Sequence, residues 1–292
     1  MINSVITGSG HYLPNRIVTN EHFVDYEFFD DNGQRIEKSG EEITSKFEQI
    51  TEIKERRYVE DDLCNSDIAT KAAQIAIEKA GVNPEELDYV ICAHNFGDID
   101  PIGRQIDIMP SMSAKVKHNL GIKNLKCKPY DMTFGCPGWV ESLILAHQFI
   151  QAKIAKKILV IGSDTLSRAV DPHDRSAMIF ADGAGAVVLE AKEDDHQYGI
   201  INHATLSYNG DEMFYLVNGA SLNPDYVGSV KNINMKGRKV YEFVLKNHKK
   251  LFNSSALVFC GVENFDEKQI PKELKSEVTG VIEYKELKKN IE

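Results

Sequence analysis

The sequence lacks any apolar run close to the ~20 residues that a membrane-spanning helix requires. It also lacks an excess of positive charge, since the formal net charge is −10 at pH 7. An acidic chain of this kind is a poor general binder of nucleic acids or anionic membranes. No basic segment followed by an apolar run opens the chain, so we predict no signal peptide. These absences together predict a cytoplasmic protein.

Paired cysteines are absent as well. The cysteines are odd in number, scattered, and never in Cys-x-x-Cys spacing, which argues against a disulfide framework or a zinc site. We therefore expect no metal. The Gly-Ser-Gly at residues 8–10 lacks the rest of a dinucleotide fingerprint, so we predict a plain turn there and no permanently bound cofactor. The five cysteines are Cys64, Cys92, Cys127, Cys136 and Cys260.

What the sequence does contain is an alternation of strands and helices. A helix is predicted at residues 66–80, capped by Ser66 and ended by Gly81, and a fully buried strand at 87–93. This alternation is typical of an α/β protein with a mainly parallel sheet. Further strands are predicted at residues 4–7, 126–132, 157–162, 200–208 and 256–260, with helices at about 109–120, 139–154 and 240–251.

The turn at residues 130–139 carries the candidate nucleophile, Cys136. Gly135 and Gly138 remove side-chain bulk on either side, and Pro137 suits the first position of a helix. Cys136 would then be the N-cap, where free N–H groups and the helix dipole favour a thiolate. A thiolate is the form that attacks a carbonyl carbon. The alternative, a buried structural cysteine, stays open at this point.

Three other polar segments have simpler interpretations. His94 follows the buried strand, where ligands often bind, but a loop histidine with satisfied hydrogen bonds is preferred. Arg56 and Arg57 are expected to pair with nearby carboxylates rather than to hold a phosphate. The small residues at 182–186 predict a tight packed turn before a strand at 187–189.

An ordered set of short motifs extends over about the first 250 residues. Taken together, these motifs resemble the β-ketoacyl-[acyl-carrier-protein] synthase III family of the thiolase-like superfamily, in a branch whose cysteine is followed by Pro-Gly-Trp. No motif is decisive by itself, but their order is specific. They lie at residues 8–14, 53–57, 109–111, 130–136, 159–162, 182–186 and 235–238.

The resemblance implies a five-layered α/β/α/β/α fold of two similar halves, in an obligate homodimer. Residues 1–190 would form the half with the nucleophile, and residues 191–292 a shortened, incomplete second half. Cys136 is implied to take an acyl group from acyl-CoA or an acyl-carrier thioester. Decarboxylative condensation with malonyl-[acyl carrier protein] would follow, in fatty-acid or related biosynthesis. Met109 is implied to reach the partner's acyl pocket.

The sequence departs from the family at the two donors that stabilise the oxyanion formed as CO2 leaves. No Pro-His-Gln-Ala-Asn-like segment exists: the only histidine after His203 is His248, which lies between lysines and is expected on an exposed helix face. Asn253 resembles the family's asparagine but follows the predicted helix too soon. A non-condensing partner subunit, or an inactive truncated relative with a scaffold role, is therefore the alternative to a synthase.

A second departure concerns the acyl primer. Where well-known members hold CoA with an aromatic residue and an arginine, alignment on Thr51 places Lys46 and Ile50, and Glu52 replaces a glycine. Ordinary acetyl-CoA priming is therefore not expected. A primer presented on a carrier protein, or a secondary-metabolite substrate, is the alternative.

Overall fold

The computed structural model of the chain describes residues 1–226 and 232–252, with side chains as far as residue 247. The chain forms two compact units, one of residues 1–201 with 216–235 and one whose described residues are 202–215 and 236–252. Asn253, Cys260 and the strand predicted at 256–260 lie outside the described residues.

The strands are β1 (Ile2–Tyr12), β2 (Arg16–Thr19), β3 (Glu55–Tyr58), β4 (Tyr89–Ala93), β5 (Asp98–Ile99), β6 (Ile106–Asp107), β7 (Lys128–Met132), β8 (Lys157–Thr165), β9 (Asp182–Glu193), β10 (Leu216–Gly219) and β11 (Asn232–Met235). The α-helices are α1 (Gly40–Thr51), α2 (Asn65–Ala80), α3 (Met112–Asn119), α4 (Gly138–Gln151) and α5 (Gly237–Phe252).

A five-stranded mixed sheet of order β1-β9-β8-β4-β7 forms the centre of the first unit. β4 runs parallel to β7 and β8, whereas β9 runs antiparallel to both β8 and β1. The predicted α/β class is confirmed, but the expectation of a mainly parallel sheet is wrong, because two of the four pairings are antiparallel. Residues 166–181, which join β8 to β9, contain two short 3-10 helices and no α-helix that would carry the chain across the sheet to a parallel strand, so the chain reverses direction.

Helices cover both faces of this sheet. α2 and α3 pack on one face and α4 on the other, against alternate side chains of the same strands. On β8, for example, Leu159 and Ile161 face α2, while Ile158 and Val160 face α4. All five residues of β4 are buried, as the continuous apolar run predicted.

The glycines of β1 do not form the predicted turn. β1 continues through residues 8–10, and its glycines face α2 at very short range. A Cβ on Gly10 would overlap the carbonyl oxygen of Ala72 and lie 2.6 Å from the nitrogen of Ala76. The turn predicted at 182–186 is also wrong, because these residues belong to β9: all five pair with β8, and residues 184–186 pair with β1 as well. The glycines of β1 allow close packing against α2, not reversal of the chain.

α2 starts one residue before the predicted start, and its N-cap lies two residues before the predicted cap, Ser66. Cys64 is the N-cap, and its backbone N–H donates to the Asp67 carboxylate at 2.8 Å. Ser66 does not cap the helix because its N–H and hydroxyl both donate to Asp98, at 2.7 and 3.0 Å. Gly81 ends the helix as predicted, with φ +64°.

The two arginines of β3 bind backbone and amide oxygens rather than the expected carboxylates. Arg56 is buried and donates to the carbonyls of Val18 and Met178 and to Oδ1 of Asn20, at 3.1, 3.1 and 2.6 Å. Arg57 donates to the Pro14 carbonyl at 3.3 Å. Arg56 therefore ties the two-stranded β2–β3 sheet to the segment before β9, and no phosphate site is needed to explain the motif.

In the second unit, α5 begins at Gly237, slightly before the predicted helix. The ring of Phe243 packs edge-on against that of Tyr208, with centroids 5.1 Å apart. The strand predicted at 200–208 is wrong: these residues have no regular structure. No helix among residues 1–226 and 232–252 is both long and apolar enough to cross a membrane.

Candidate active site

Cys136 lies on the turn between the end of β7 and the start of α4, and its side chain is exposed. The turn is closed by a hydrogen bond from Gly138 N to the Gly135 carbonyl at 2.9 Å. Pro137 is the N-cap, because its carbonyl accepts the first helical hydrogen bond, from Glu141 N at 3.0 Å. The prediction that Cys136 itself is the N-cap is therefore wrong by one residue. Its exposure is inconsistent with a structural cysteine of the core.

Small residues bring this turn close to the sheet. Gly135 has φ +83°, a conformation that favours glycine. A Cβ on Gly138 would lie 3.3 Å from the Cβ of Ala93, the last residue of β4. Gly162 of β8 lies beneath Trp139, where a Cβ would be 3.1 Å from the Trp139 Cβ. The start of α4 is therefore seated on the carboxyl ends of two parallel strands.

His94 directly follows β4 at its carboxyl end, and both of its ring nitrogens are hydrogen-bonded. Its Nε2 donates to Oδ2 of Asp131 at 3.0 Å, and its Nδ1 accepts from Gly97 N at 2.9 Å. The Gly97 contact assigns the neutral ring a proton on Nε2. The prediction of a satisfied loop histidine is confirmed, and His94 is not available as a base for Cys136.

Asp131 anchors α3 to β7. Besides His94, it accepts hydrogen bonds from the backbone N–H groups of Met112 and Ser113, at 2.9 and 2.8 Å, and from the Ser113 hydroxyl. Burial by itself raises the pKa of Asp131, but these hydrogen bonds outweigh burial and lower the pKa to about 2. The ionised carboxylate therefore stabilises the folded protein.

We expect this carboxylate to contribute to acid stability. Because the folded-state pKa of about 2 lies below the ordinary value of 3.8, its stabilisation is complete above about pH 4 and is lost as pH falls toward 2. The contribution is about 2 kcal/mol. Urea unfolding of wild type and Asp131→Asn at pH 7 and pH 3 should show a smaller acid loss in the variant. Equal acid losses in the two proteins would contradict the assignment.

A second polar pair lies on the other face of the sheet, near the cysteine turn. Asn95 donates from its backbone N and from Nδ2 to the two carboxylate oxygens of Asp164, at 2.9 and 2.7 Å. Burial raises the pKa of Asp164 to about 6, although both hydrogen bonds from Asn95 lower it. Sequence reasoning missed this pair. The available signal was that His94-Asn95 and Asp164 both end parallel strands, whose carboxyl ends share one edge.

The other residues suggested by the sequence do not join this site. Met109 is 85% exposed, and Ile50 on α1 is 70% exposed. Lys46 is on α1. His248 falls within α5, where only the backbone is described, and Asn253 lies outside the described residues. Within residues 1–226 and 232–252, no three His, Cys, Asp or Glu side chains are grouped to hold a metal ion.

Comparison with known proteins places the turn in a family context. The sequence profile of 3-oxoacyl-[acyl-carrier-protein (ACP)] synthase III matches residues 130–209, which include Cys136. β-Ketoacyl-[acyl-carrier-protein] synthase III of Xanthomonas campestris pv. campestris is 35% identical over 251 residues, covering 84% of this chain and 68% of the relative. The protein of the same name from Caldanaerobacter subterraneus is 34% identical over 247 residues, covering 82% and 67%.

Solved structures show the same mixed α/β fold. The crystal structure of 3-oxoacyl-[acyl-carrier-protein] synthase III from Aquifex aeolicus aligns with 86% of this chain and 71% of its own, with 28% identity and a TM-score of 0.63. The synthase III from Thermus thermophilus aligns with 85% and 70%, with 29% identity and a TM-score of 0.62.

Proposed function

Because the chain belongs to the β-ketoacyl-[acyl-carrier-protein] synthase III family, we propose that it is an acyltransferase that carries its acyl group on Cys136. The observation that carries the proposal is the exposed cysteine. It lies on a turn that packs against β4 and β8 near their carboxyl ends, within the segment that the family profile matches. A cysteine sulfur is intrinsically nucleophilic and accessible here to a thioester carbonyl. No bound cofactor takes part in this chemistry.

The proposed reaction has two steps. In the first, the Cys136 sulfur attacks the thioester carbonyl, the bond to the CoA or carrier sulfur breaks, and that thiol leaves with a proton. In the second, the carbon–carboxylate bond of a malonyl group on acyl carrier protein breaks and CO2 leaves. The resulting carbanion attacks the acyl carbonyl on Cys136, and the cysteine sulfur is expelled. The product is a 3-oxoacyl-[acyl-carrier-protein], as in fatty-acid or related biosynthesis.

The two steps have different requirements. Acyl transfer to the cysteine depends on the nucleophile, whereas decarboxylation needs donors for a developing oxyanion. The sequence lacks the family's histidine segment, and removal of one such donor typically lowers the rate by about 10²–10³-fold. This absence favours a second candidate function, a non-condensing partner subunit or inactive relative with a binding role.

We further propose the two-half, five-layered architecture, with an incomplete second half and a boundary at about residue 190, near the end of β9. A homodimer is supported by β7, which among the described residues is an edge strand paired with β4 alone, and which carries the 41% exposed Tyr130. An exposed edge of this kind is a template for strand pairing, and a second copy satisfies it by two-fold symmetry. The acyl carrier protein is the proposed partner, and a reducing cytoplasm the proposed location.

Intact-protein mass spectrometry tests the reaction. The protein is incubated with a panel of acyl-CoA and acyl-carrier thioesters, and malonyl-carrier is then added. We expect an adduct of one acyl group, cleared slowly as a 3-oxoacyl product. An adduct that malonyl-carrier leaves in place overturns the condensing step. No adduct from folded protein overturns the enzyme assignment and favours the binding role. Native spectra of the same sample should show a dimer, and a monomer would contradict the proposed assembly.

A further inference from the structure

The hydrogen-bonded pair of Asn95 and Asp164 has no part in the two reaction steps above. One residue occupies both oxygens of the carboxylate, through its backbone N–H at 2.9 Å and its side-chain amide at 2.7 Å. Two parallel donors to one carboxylate fix both the position and the orientation of the donor residue. The loop that leaves β4 is thereby tied to the end of β8, and the Asn95 side chain is held in one rotamer.

The fixed side chain lies against the cysteine turn. Oδ1 of Asn95 is 3.9 Å from the position that a Cβ on Gly135 would occupy, and among residues 1–226 and 232–252 no other atom outside the turn is within 4 Å of that position. Gly135 has φ +83° and immediately precedes Cys136. The amide oxygen therefore lies beside the open side of Gly135, at the distance where a side chain at position 135 would touch it.

From this geometry we propose that Asn95, held by Asp164, is a positioning residue for the turn that carries Cys136. The inference rests on the proposed function and deepens it, because it names what aims the nucleophile. Attack on a thioester carbonyl depends on the approach of the sulfur, and a misplacement of about 1 Å can lower a rate by about 10²-fold.

The electrostatic setting of Asp164 supports a role beyond stability. Burial raises the pKa of Asp164 to about 6, so at neutral pH its ionised form destabilises the fold relative to a neutral group. The other titratable groups acting on Asp164 are His94 at the end of β4, which lowers its pKa, and Asp182 at the start of β9, which raises it. A carboxylate supplies what a neutral group would not: two acceptors for the two donors of Asn95.

The test uses Asn95→Ala in the full chain. Removal of the amide should lower the rate of Cys136 acylation at saturating acyl thioester by about 10- to 100-fold, with KM changed less than the rate. Alkylation of the exposed thiol by iodoacetamide needs no fixed approach and should change less than about twofold. A residue with only a structural role would not separate these two rates.

Ser163→Ala is the matched control. Ser163 precedes Asp164 on β8, but its hydroxyl donates to Oδ1 of Asn65 at 2.5 Å, on the opposite face of the sheet. This variant should lower the melting temperature and leave the acylation rate unchanged. If Ser163→Ala lowers the acylation rate as much as Asn95→Ala does, loss of stability of the fold explains both effects and the proposal is overturned.

A conservative variant provides rescue. In Asn95→Asp, the introduced carboxyl and Asp164 repel each other when both are ionised, but at lower pH one proton shared between them restores a donor. The acylation rate relative to wild type at the same pH should therefore rise from pH 8 to pH 5, whereas that of Asn95→Ala should stay flat.

The outcomes separate the two proposals. A wild-type protein without an adduct overturns the proposed function. A wild-type protein that acylates, together with Asn95→Ala at the wild-type rate, overturns the positioning role alone.

Discussion

Replacing Cys136 by serine should lower acyl-adduct formation by about 10³-fold or more, which mass spectrometry would record as loss of the adduct. A serine hydroxyl at its ordinary pKa is not a nucleophile unless a base activates it. His94 cannot serve as that base, because its two ring nitrogens are hydrogen-bonded to Asp131 and Gly97. The fold should be unaffected, since the side chain at 136 is exposed.

Cys64→Ser is the matched control for this result. Cys64 is also a cysteine at the start of a helix, but it is only partly exposed and is the N-cap of α2. Serine is a good N-cap residue, so the variant should keep its stability and form the adduct at the wild-type rate. If Cys136→Ser formed the same adduct at the wild-type rate, or if Cys64→Ser formed no adduct, the acyl group would be carried elsewhere than on Cys136.

Gly10→Ala should destabilise the protein by about 3 kcal/mol, a large effect for one added methyl group. The new Cβ would overlap the Ala72 carbonyl oxygen and lie 2.8 Å from the Cβ of Ile75. Both belong to α2, whose backbone cannot move without separating from β1. Urea unfolding followed by circular dichroism would show the loss as a lower midpoint with a similar slope.

Gly185→Ala separates this contact effect from the general cost of replacing glycine. Gly185 lies in β9 opposite His11, the residue after Gly10, and in the part of the chain that the structure describes no atom beyond its chain neighbours is within 4 Å of the position its Cβ would take. Its replacement should change stability by no more than about 0.5 kcal/mol. Equal losses in the two variants would mean that contact with α2 does not determine the need for glycine in β1.

Local patterns in the sequence predicted helices and buried strands well. Gly81 is predictable as the end of α2 because its left-handed conformation is a local requirement. The apolar run at 87–93 predicts a buried strand, and β4 occupies Tyr89–Ala93 of it with all five residues buried. The cysteine turn was placed correctly to within one residue for the same reason. Its prediction used the glycines and the proline around Cys136 and the helical pattern that follows them.

The errors came from features that depend on distant residues. Gly8 and Gly10 have the composition of a turn, but their small size serves the contact with α2, which no local pattern reveals. The direction of β9 depends on how the chain returns from β8. The spacing of hydrophobic residues predicts a strand but not its direction relative to its neighbours. The Asn95–Asp164 pair joins residues from two strands, so it follows from strand order and register rather than from a motif.

The pairing of β1 with β9 also has a consequence for biosynthesis. Ile2 pairs with Glu193 and Tyr12 with Ala184, so the first strand made has no hydrogen-bonding partner in the sheet until the last of its five strands leaves the ribosome. Contacts of such high sequence separation form slowly, and a waiting strand can pair with other nascent chains. The emerging chain is therefore expected to depend on chaperone protection of β1 through most of its synthesis.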